Sequence, residues 1–207
     1  MPLVYKEEKE GILLGIWQMD EPLEQLELLL PRAMWQEGRE RFAAEHRRKE
    51  WLAVRLLLKT LTGDYVPIQY HPSGKPYISE GPCLSISHTK NHVAVILGNQ
   101  EVGIDVEQYG ARVEKVISRF MREDEQSALW KEDALWGWLL HWSAKETMYK
   151  MLHAEGVDFV KHLRIYPFQM AEDGLMEAVE YKTAKEQKFR IHYRLFPDFV
   201  LTWGMAN

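Results

Sequence analysis

Apolar and polar positions alternate through 102–107: Val102, Ile104 and Val106 take one side, Gly103, Asp105 and Glu107 the other. A period of two predicts a strand with one apolar face and one exposed face carrying two carboxylates. Further along, the period changes. Ser143, Glu146 and Lys150 recur at helical spacing, while Leu140, Ala144, Met148 and Met151 line another face. That pattern predicts a helix over 136–152. The same reading predicts a strand over 12–17 and a helix from Asp20-Glu21-Pro22 to Leu30. A long helical stretch follows over 34–61, broken near Glu45 and ended by Thr62-Gly63-Asp64. Residues 70–76 are rich in turn formers. Strands are predicted over 83–87 and 92–97, then a loop over 109–122 leading into a helix over 123–135. Four more strands, over 163–166, 175–181, 188–195 and 198–203, complete the pattern, with Asp173-Gly174 and Pro197-Asp198 supplying turns.

Segregated blocks of helices and strands point to an α+β fold. Each half has helices followed by a small sheet. Two similar subdomains are therefore expected, 1–104 and 105–207, although the halves share no evident repeat.

The apolar fraction of 46%, with 8 Trp, 9 Tyr and 7 Phe, is ample for packed cores and argues against disorder. No apolar run approaches the roughly 18 residues of a membrane span. The first residues lack a basic stretch followed by an apolar one, so no signal peptide is expected. A single cysteine, Cys83, leaves no internal disulfide, and a cytoplasmic location is expected. The net charge of −5 argues against general nucleic-acid binding. Lys and Arg are concentrated between Arg39 and Lys59, which suits either an anionic ligand or a solvated helix face.

Asp105 and Glu107 on a strand, with Glu146, Lys145 and Lys150 on a helix, bring carboxylates and lysines together. Such a set suits a hard divalent cation on a polyphosphate, magnesium above all. Each residue also has a plainer reading. Asp105 and Glu107 would be exposed strand charges, Glu146 and Lys150 an ordinary i, i+4 ion pair, and His88 a polar residue at a strand end.

Four motifs in order narrow the choice: Gly74-Lys75-Pro76, Ser85-Ile86-Ser87-His88, Gly103-Ile104-Asp105-Val106-Glu107, and Trp142-Ser143-Ala144-Lys145-Glu146 with Lys150. Together they resemble the 4′-phosphopantetheinyl transferases, most of all the surfactin-synthetase-activating (Sfp-like) type. The resemblance runs from about Gly15 to Trp203. It implies two similar α+β subdomains in a pseudo-twofold arrangement. It also implies a holo-(acyl-carrier-protein) synthase activity: the phosphopantetheine arm of coenzyme A passes to a serine of an apo acyl or peptidyl carrier protein. Adenosine 3′,5′-bisphosphate is the by-product.

By this resemblance Asp105, Glu107 and Glu146 would hold magnesium, or manganese in its place. Glu146 and Lys150 would be catalytic, with Lys150 on the pyrophosphate and Lys145 assisting. Lys75 and Pro76 would meet the adenine end, and Ser87 and His88 the phosphates. Arg41, Arg48 and Arg55 are candidates for the 3′-phosphate, Arg55 foremost. Trp35 and Gly38 stand where the type carries basic residues, so Arg39 and Arg41 would rebuild that site. Carrier docking would use Val113, Val116, Ile117, Phe120 and Met121, unless these are the buried side of an amphipathic helix. A monomer is expected. Two other functions compete: a coenzyme A- or carrier-binding module without catalysis, and a metal-dependent phosphoester hydrolase.

Overall fold

The computed structural model describes residues 2–125, 129–152 and 154–206. Two compact units part between Asn99 and Gln100. The division expected at 104/105 would have cut a strand; the observed one leaves that strand whole in the second unit.

The first unit holds a four-stranded antiparallel sheet in the order β1-β2-β6-β5. Its strands are β1 (Leu3–Lys9), β2 (Ile12–Gln18), β5 (Cys83–Thr89) and β6 (His92–Gly98). β1 alternates correctly but is rich in Lys and Glu, so it escapes a hydrophobic count; as an edge strand it tolerates those charges. Helices α1 (Leu23–Leu28), α2 (Arg32–Arg41) and α3 (Glu45–Thr62) lie between β2 and β5. The break between α2 and α3 falls at Phe42, whose backbone is extended, and the Arg48 guanidinium donates to the freed carbonyls of Phe42 and Ala43. α3 ends where Gly63 takes the left-handed conformation and returns its N–H to the Lys59 carbonyl. Leu52, Leu57, Leu58 and Leu61 of α3 pack with Trp17, Leu84, Val93 and Val95 of the sheet. Gly15 permits that contact, because a Cβ there would stand 3.0 Å from Leu61 and 3.1 Å from Leu57. The turn-rich loop is a small hairpin of β3 (Gln69–Tyr70) and β4 (Pro76–Tyr77), with Gly74 at positive φ in its turn.

The second unit holds a five-stranded antiparallel sheet in the order β7-β11-β10-β9-β8. These are β7 (Val102–Gln108), β8 (Leu163–Ile165), β9 (Asp173–Glu180), β10 (Lys188–Leu195) and β11 (Phe199–Met205). Helix α4 (Ala134–Met151) crosses β7 and β11, with Leu140, Ala144, Met148 and Met151 packed on Ile165, Met176, Ile191 and Val200. Asp133 caps its N-terminus by accepting from the Leu135 N–H.

Three expectations fail in this unit. The strand β7 is covered on both sides: Asp105 is as buried as Val102 and Ile104. The helix expected over 123–135 does not form: among its described residues Ala134 and Leu135 alone are helical, as the start of α4, and 126–128 lie outside the described residues. Glu125 there is drawn inward to accept the N–H groups of Arg122 and Ile165, and Lys131 and Glu132 have positive φ, so neither end can extend a helix. A 3-10 helix (Val113–Arg119) and a single-turn α5 (Phe159–His162) stand where a loop or nothing was expected.

Each unit pairs an antiparallel sheet with an 18-residue helix. Among the described residues no helix is long and apolar enough to cross a membrane.

Gly103 sets how near α4 lies to β7. A Cβ on Gly103 would fall 2.3 Å from the Thr147 carbonyl oxygen, which is backbone and cannot swing away. Gly103→Ala is expected to cost about 2–3 kcal/mol through overpacking. A lowered urea midpoint checks this; an unchanged one would mean that the helix shifts freely.

Candidate functional site

β7 and α4 together build the charged site of the second unit. Thr202 of β11, paired in register with Asp105, lies under the helix. Its hydroxyl meets Ser143 Oγ at 2.8 Å and Thr147 Oγ1 at 2.7 Å, all three buried. Ser143, read from spacing as part of the polar working face, is therefore an anchor. One turn on, Lys150 Nζ donates to Asp105 Oδ1 at 2.8 Å and to the Ile104 carbonyl at 2.7 Å. On the next inward-facing position of the strand, Glu107 Oε1 accepts from the Trp142 indole N–H at 2.7 Å. The polar contact of Trp142 is thus with Glu107 rather than with Glu146. Its ring packs against Phe120 and Phe159.

The electrostatics follow from crowding like charges in a half-dry place. Burial and the neighbouring Asp105 and Glu146 charges push the Glu107 carboxyl up to about 7, with the Trp142 bond and Lys150 pulling the other way. Burial and Asp105 push Glu146 up to about 7 as well, offset in part by Lys150. These are hard oxygen donors whose mutual repulsion a divalent cation would relieve, so the donor chemistry fits magnesium. Among the described residues no three His, Cys, Asp or Glu side chains form a ready-made metal site. The cation bound to Asp105 is the Lys150 ammonium.

Glu146 also lines an open groove of about 740 Å³ with Trp142, Tyr149, Phe159, Arg119 and Lys161. Tyr149 is the exposed aromatic beside it.

Lys145 does not join this group. Its side chain is wholly buried on another side of α4, where Nζ donates to Glu125 Oε2 at 2.7 Å and to the Phe120 carbonyl at 2.6 Å. Burial holds its ammonium below the usual lysine range, against the pull of Glu125. The expected role on a pyrophosphate is thus replaced by a structural one. The carrier-docking set is corrected similarly. Val113 and Phe120 are buried core, and Val116, Ile117 and Met121 pack against it, so these are the inner side of the 3-10 helix and its neighbours.

In the first unit, a separate pocket of about 380 Å³ is lined by residues that include Arg41, Arg47, Glu50, Trp51, Arg55, Tyr70, Pro76 and His88. Four of the expected residues, Arg41, Arg55, Pro76 and His88, thus come together. Lys75 stands in the same turn between Gly74 and Pro76, and Ser87 is buried in β5 one residue before His88. Arg55 is not a free cation. Its guanidinium lies 3.1 Å from the Trp51 ring centroid and donates to the Trp51 carbonyl; burial lowers it to about 10. Arg39 is committed elsewhere, with two bonds to Glu27 and its face on Trp35.

Arg47 is the residue that sequence reasoning missed. It donates to Glu50 at 2.7 Å and lies 3.2 Å from His88 Nε2. The signal was present: Arg47, Trp51 and Arg55 stand four apart, on one helix face.

Residues 101–203 match the family model described as the 4′-phosphopantetheinyl transferase superfamily. No curated protein matches the chain significantly. The second unit thus resembles phosphopantetheinyl transferases over nearly its whole length, and the matched span holds Asp105, Glu107, Glu146 and Lys150.

Two outcomes follow. Glu107 and Glu146 ionise near 4.5 when unfolded and near 7 when folded, so their stabilising contribution is full below about 4.5 and is lost as pH rises through about 7. Metal-free protein is expected to lose urea resistance from about pH 5 to about pH 8, and Glu107→Gln with Glu146→Gln to flatten that slope. An equal slope in the double variant would contradict the burial argument. Lys145→Met strands a buried carboxylate and is expected to cost about 3–5 kcal/mol in equilibrium unfolding. A loss below about 1 kcal/mol, the range of exposed pairs, would return Lys145 to the functional set.

Proposed function

We propose that this chain transfers the 4′-phosphopantetheine arm of coenzyme A to a serine of an apo acyl or peptidyl carrier protein, releasing adenosine 3′,5′-bisphosphate. The observation that carries this reading is the facing of Asp105 and Glu107 on β7 with Glu146 and Lys150 on α4, inside the span that matches the transferase superfamily.

Asp105, Glu107 and Glu146 are the residues that would hold magnesium or manganese. When bound, the cation supplies positive charge to a pyrophosphate whose negative charge shifts during transfer. The chain's own groups do the rest. Lys150, on a flexible stem, gives a movable positive charge for the leaving phosphate. Glu146 is placed to take the proton. In the metal-free chain burial raises its carboxyl to about 7, so it is a stronger base than an ordinary glutamate and about half of it is ready to accept a proton at neutral pH. The carrier serine oxygen attacks the phosphorus next to pantetheine, and the bond from that phosphorus to the oxygen of the leaving phosphate breaks. The hydroxyl proton goes to Glu146, directly or through water. No enzyme-bound covalent intermediate is needed.

The first unit's pocket suits the nucleotide end of the donor. Arg41, Arg47 and His88 offer cationic and hydrogen-bonding groups for a phosphate monoester, while Trp51, Phe42 and Tyr70 offer aromatic surface. Arg55 acts as a wall that fixes Trp51 and Tyr70. The Sfp-like type, a monomeric state and a cytoplasmic site of action belong to the same reading.

Intact-mass spectrometry of a purified apo carrier after incubation with this protein, coenzyme A and magnesium tests it. The expected result is a gain of one phosphopantetheine arm, abolished by EDTA. No gain across fatty-acid and peptidyl carriers, from folded protein that still binds coenzyme A, would replace the transferase with a binding module. Coenzyme A cleavage without carrier modification would make it a hydrolase.

A further inference from the structure

The Lys150 ammonium is bonded to the most buried of the three carboxylates. Asp105 is 4% exposed, and Lys150 Nζ lies 2.8 Å from its Oδ1 and 2.7 Å from the Ile104 carbonyl. The lysine side chain is 24% exposed, so solvent reaches it while its Nζ is bonded to the strand. Lys150 takes Oδ1 of Asp105; a divalent cation on either carboxylate oxygen would stand only a few ångström from the ammonium, where like charges in a half-buried site repel strongly. We propose that Lys150 is a resident stand-in for the divalent cation, which must be displaced from Asp105 before the site can load. The proposal rests on the transferase reading and concerns the regulation of that same site.

The consequence is coupling. Displacement leaves the Ile104 carbonyl without this donor and sends a strongly hydrated ammonium in search of new acceptors. A pyrophosphate beside the site supplies them as charge-assisted bonds. Donor binding therefore removes the competitor from Asp105 and tightens cation binding, and by linkage the cation tightens donor binding by the same factor. A cation alone meets a site whose competent state is only partly populated, and its apparent affinity is reduced by that fraction. The carboxylates repel one another when empty, and the lysine neutralises part of that repulsion in the resting chain. In contrast, Lys145 is locked in its pair with Glu125 and has no part in the exchange.

The test uses the full chain and manganese as the probe ion, with binding read from free manganese by electron paramagnetic resonance. Without coenzyme A, Lys150→Gln is expected to bind manganese about tenfold tighter than wild type. With coenzyme A present, that difference is expected to shrink to about twofold or less. A lysine that only repels the ion by its charge would give the same difference in both conditions, and that result overturns the proposal. Amine acetylation of the wild-type chain, followed by peptide mass spectrometry, gives a second readout that needs no variant. Lys150 is expected to become several-fold more reactive on manganese addition, with buried Lys145 unchanged as the internal control. Unaltered Lys150 reactivity under saturating manganese overturns the proposal even if the variant misfolds. Equal manganese affinities alongside intact carrier modification would sink the stand-in role and leave the transferase reading standing. No manganese uptake by either form would remove the cation from both.

Discussion

The separation between α4 and β7 is the constraint on which the charged site depends, and it is set by a missing side chain. At Gly103 the helix backbone comes so near that a Cβ would overlap the Thr147 carbonyl oxygen. At Gly204, its partner in register, a Cβ would stand 3.2 Å from Met151 Cε of the same helix. With the helix seated on two glycines and pinned by the Ser143, Thr147 and Thr202 hydroxyls, the next turn must deliver Lys150 onto Asp105. The preceding turn delivers Trp142 onto Glu107. A wider spacing would leave these as exposed charges with little mutual influence. At the observed spacing they are half-dry, and burial with the neighbouring charges raises Glu107 and Glu146 to about 7.

That arrangement is costly in isolation. Buried like charges destabilise a fold, and the Lys150 ammonium on Asp105 and the Trp142 indole N–H on Glu107 offset part of that cost. The negative charge that remains around Glu107 and Glu146 is the property a divalent cation can use. A fully neutralised cluster would be more stable and would hold that cation less tightly.

Part of this was legible in the residues alone. The alternation through 102–107 marked β7, and the helical spacing of Ser143, Glu146 and Lys150 marked α4 and put the right charges on it. The sequence pattern could not say that the carboxylate face of β7 is covered, because Gly103 reads equally well as an exposed small residue and as a contact point. The helix expected over 123–135 failed for a related reason. Its charges have helical spacing, but Glu125 bonds two backbone N–H groups and Lys145, and those bonds hold the chain in turns. In the first unit, the basic cluster on α3 was visible, but its division of labour was not. Arg55 and Arg48 satisfy nearby backbone carbonyls, whereas Arg47 reaches His88 directly in the pocket.

The two lysines of the Trp142–Lys150 motif show why such division escapes a linear reading. Five residues of helix turn the side chain by about 140°, so Lys145 and Lys150 leave α4 on different sides. On one side lies the closed end of the core, where the Phe120 and Phe159 carbonyls and Glu125 satisfy an ammonium fully. On the other lies the strand edge of a charged site open to water. The first lysine fixes the turn that precedes Glu146, and the second stays free to exchange its partner. In the proposed transferase, Glu146 depends on both neighbours: one that keeps its helix in place, and one whose charge can move when substrate arrives.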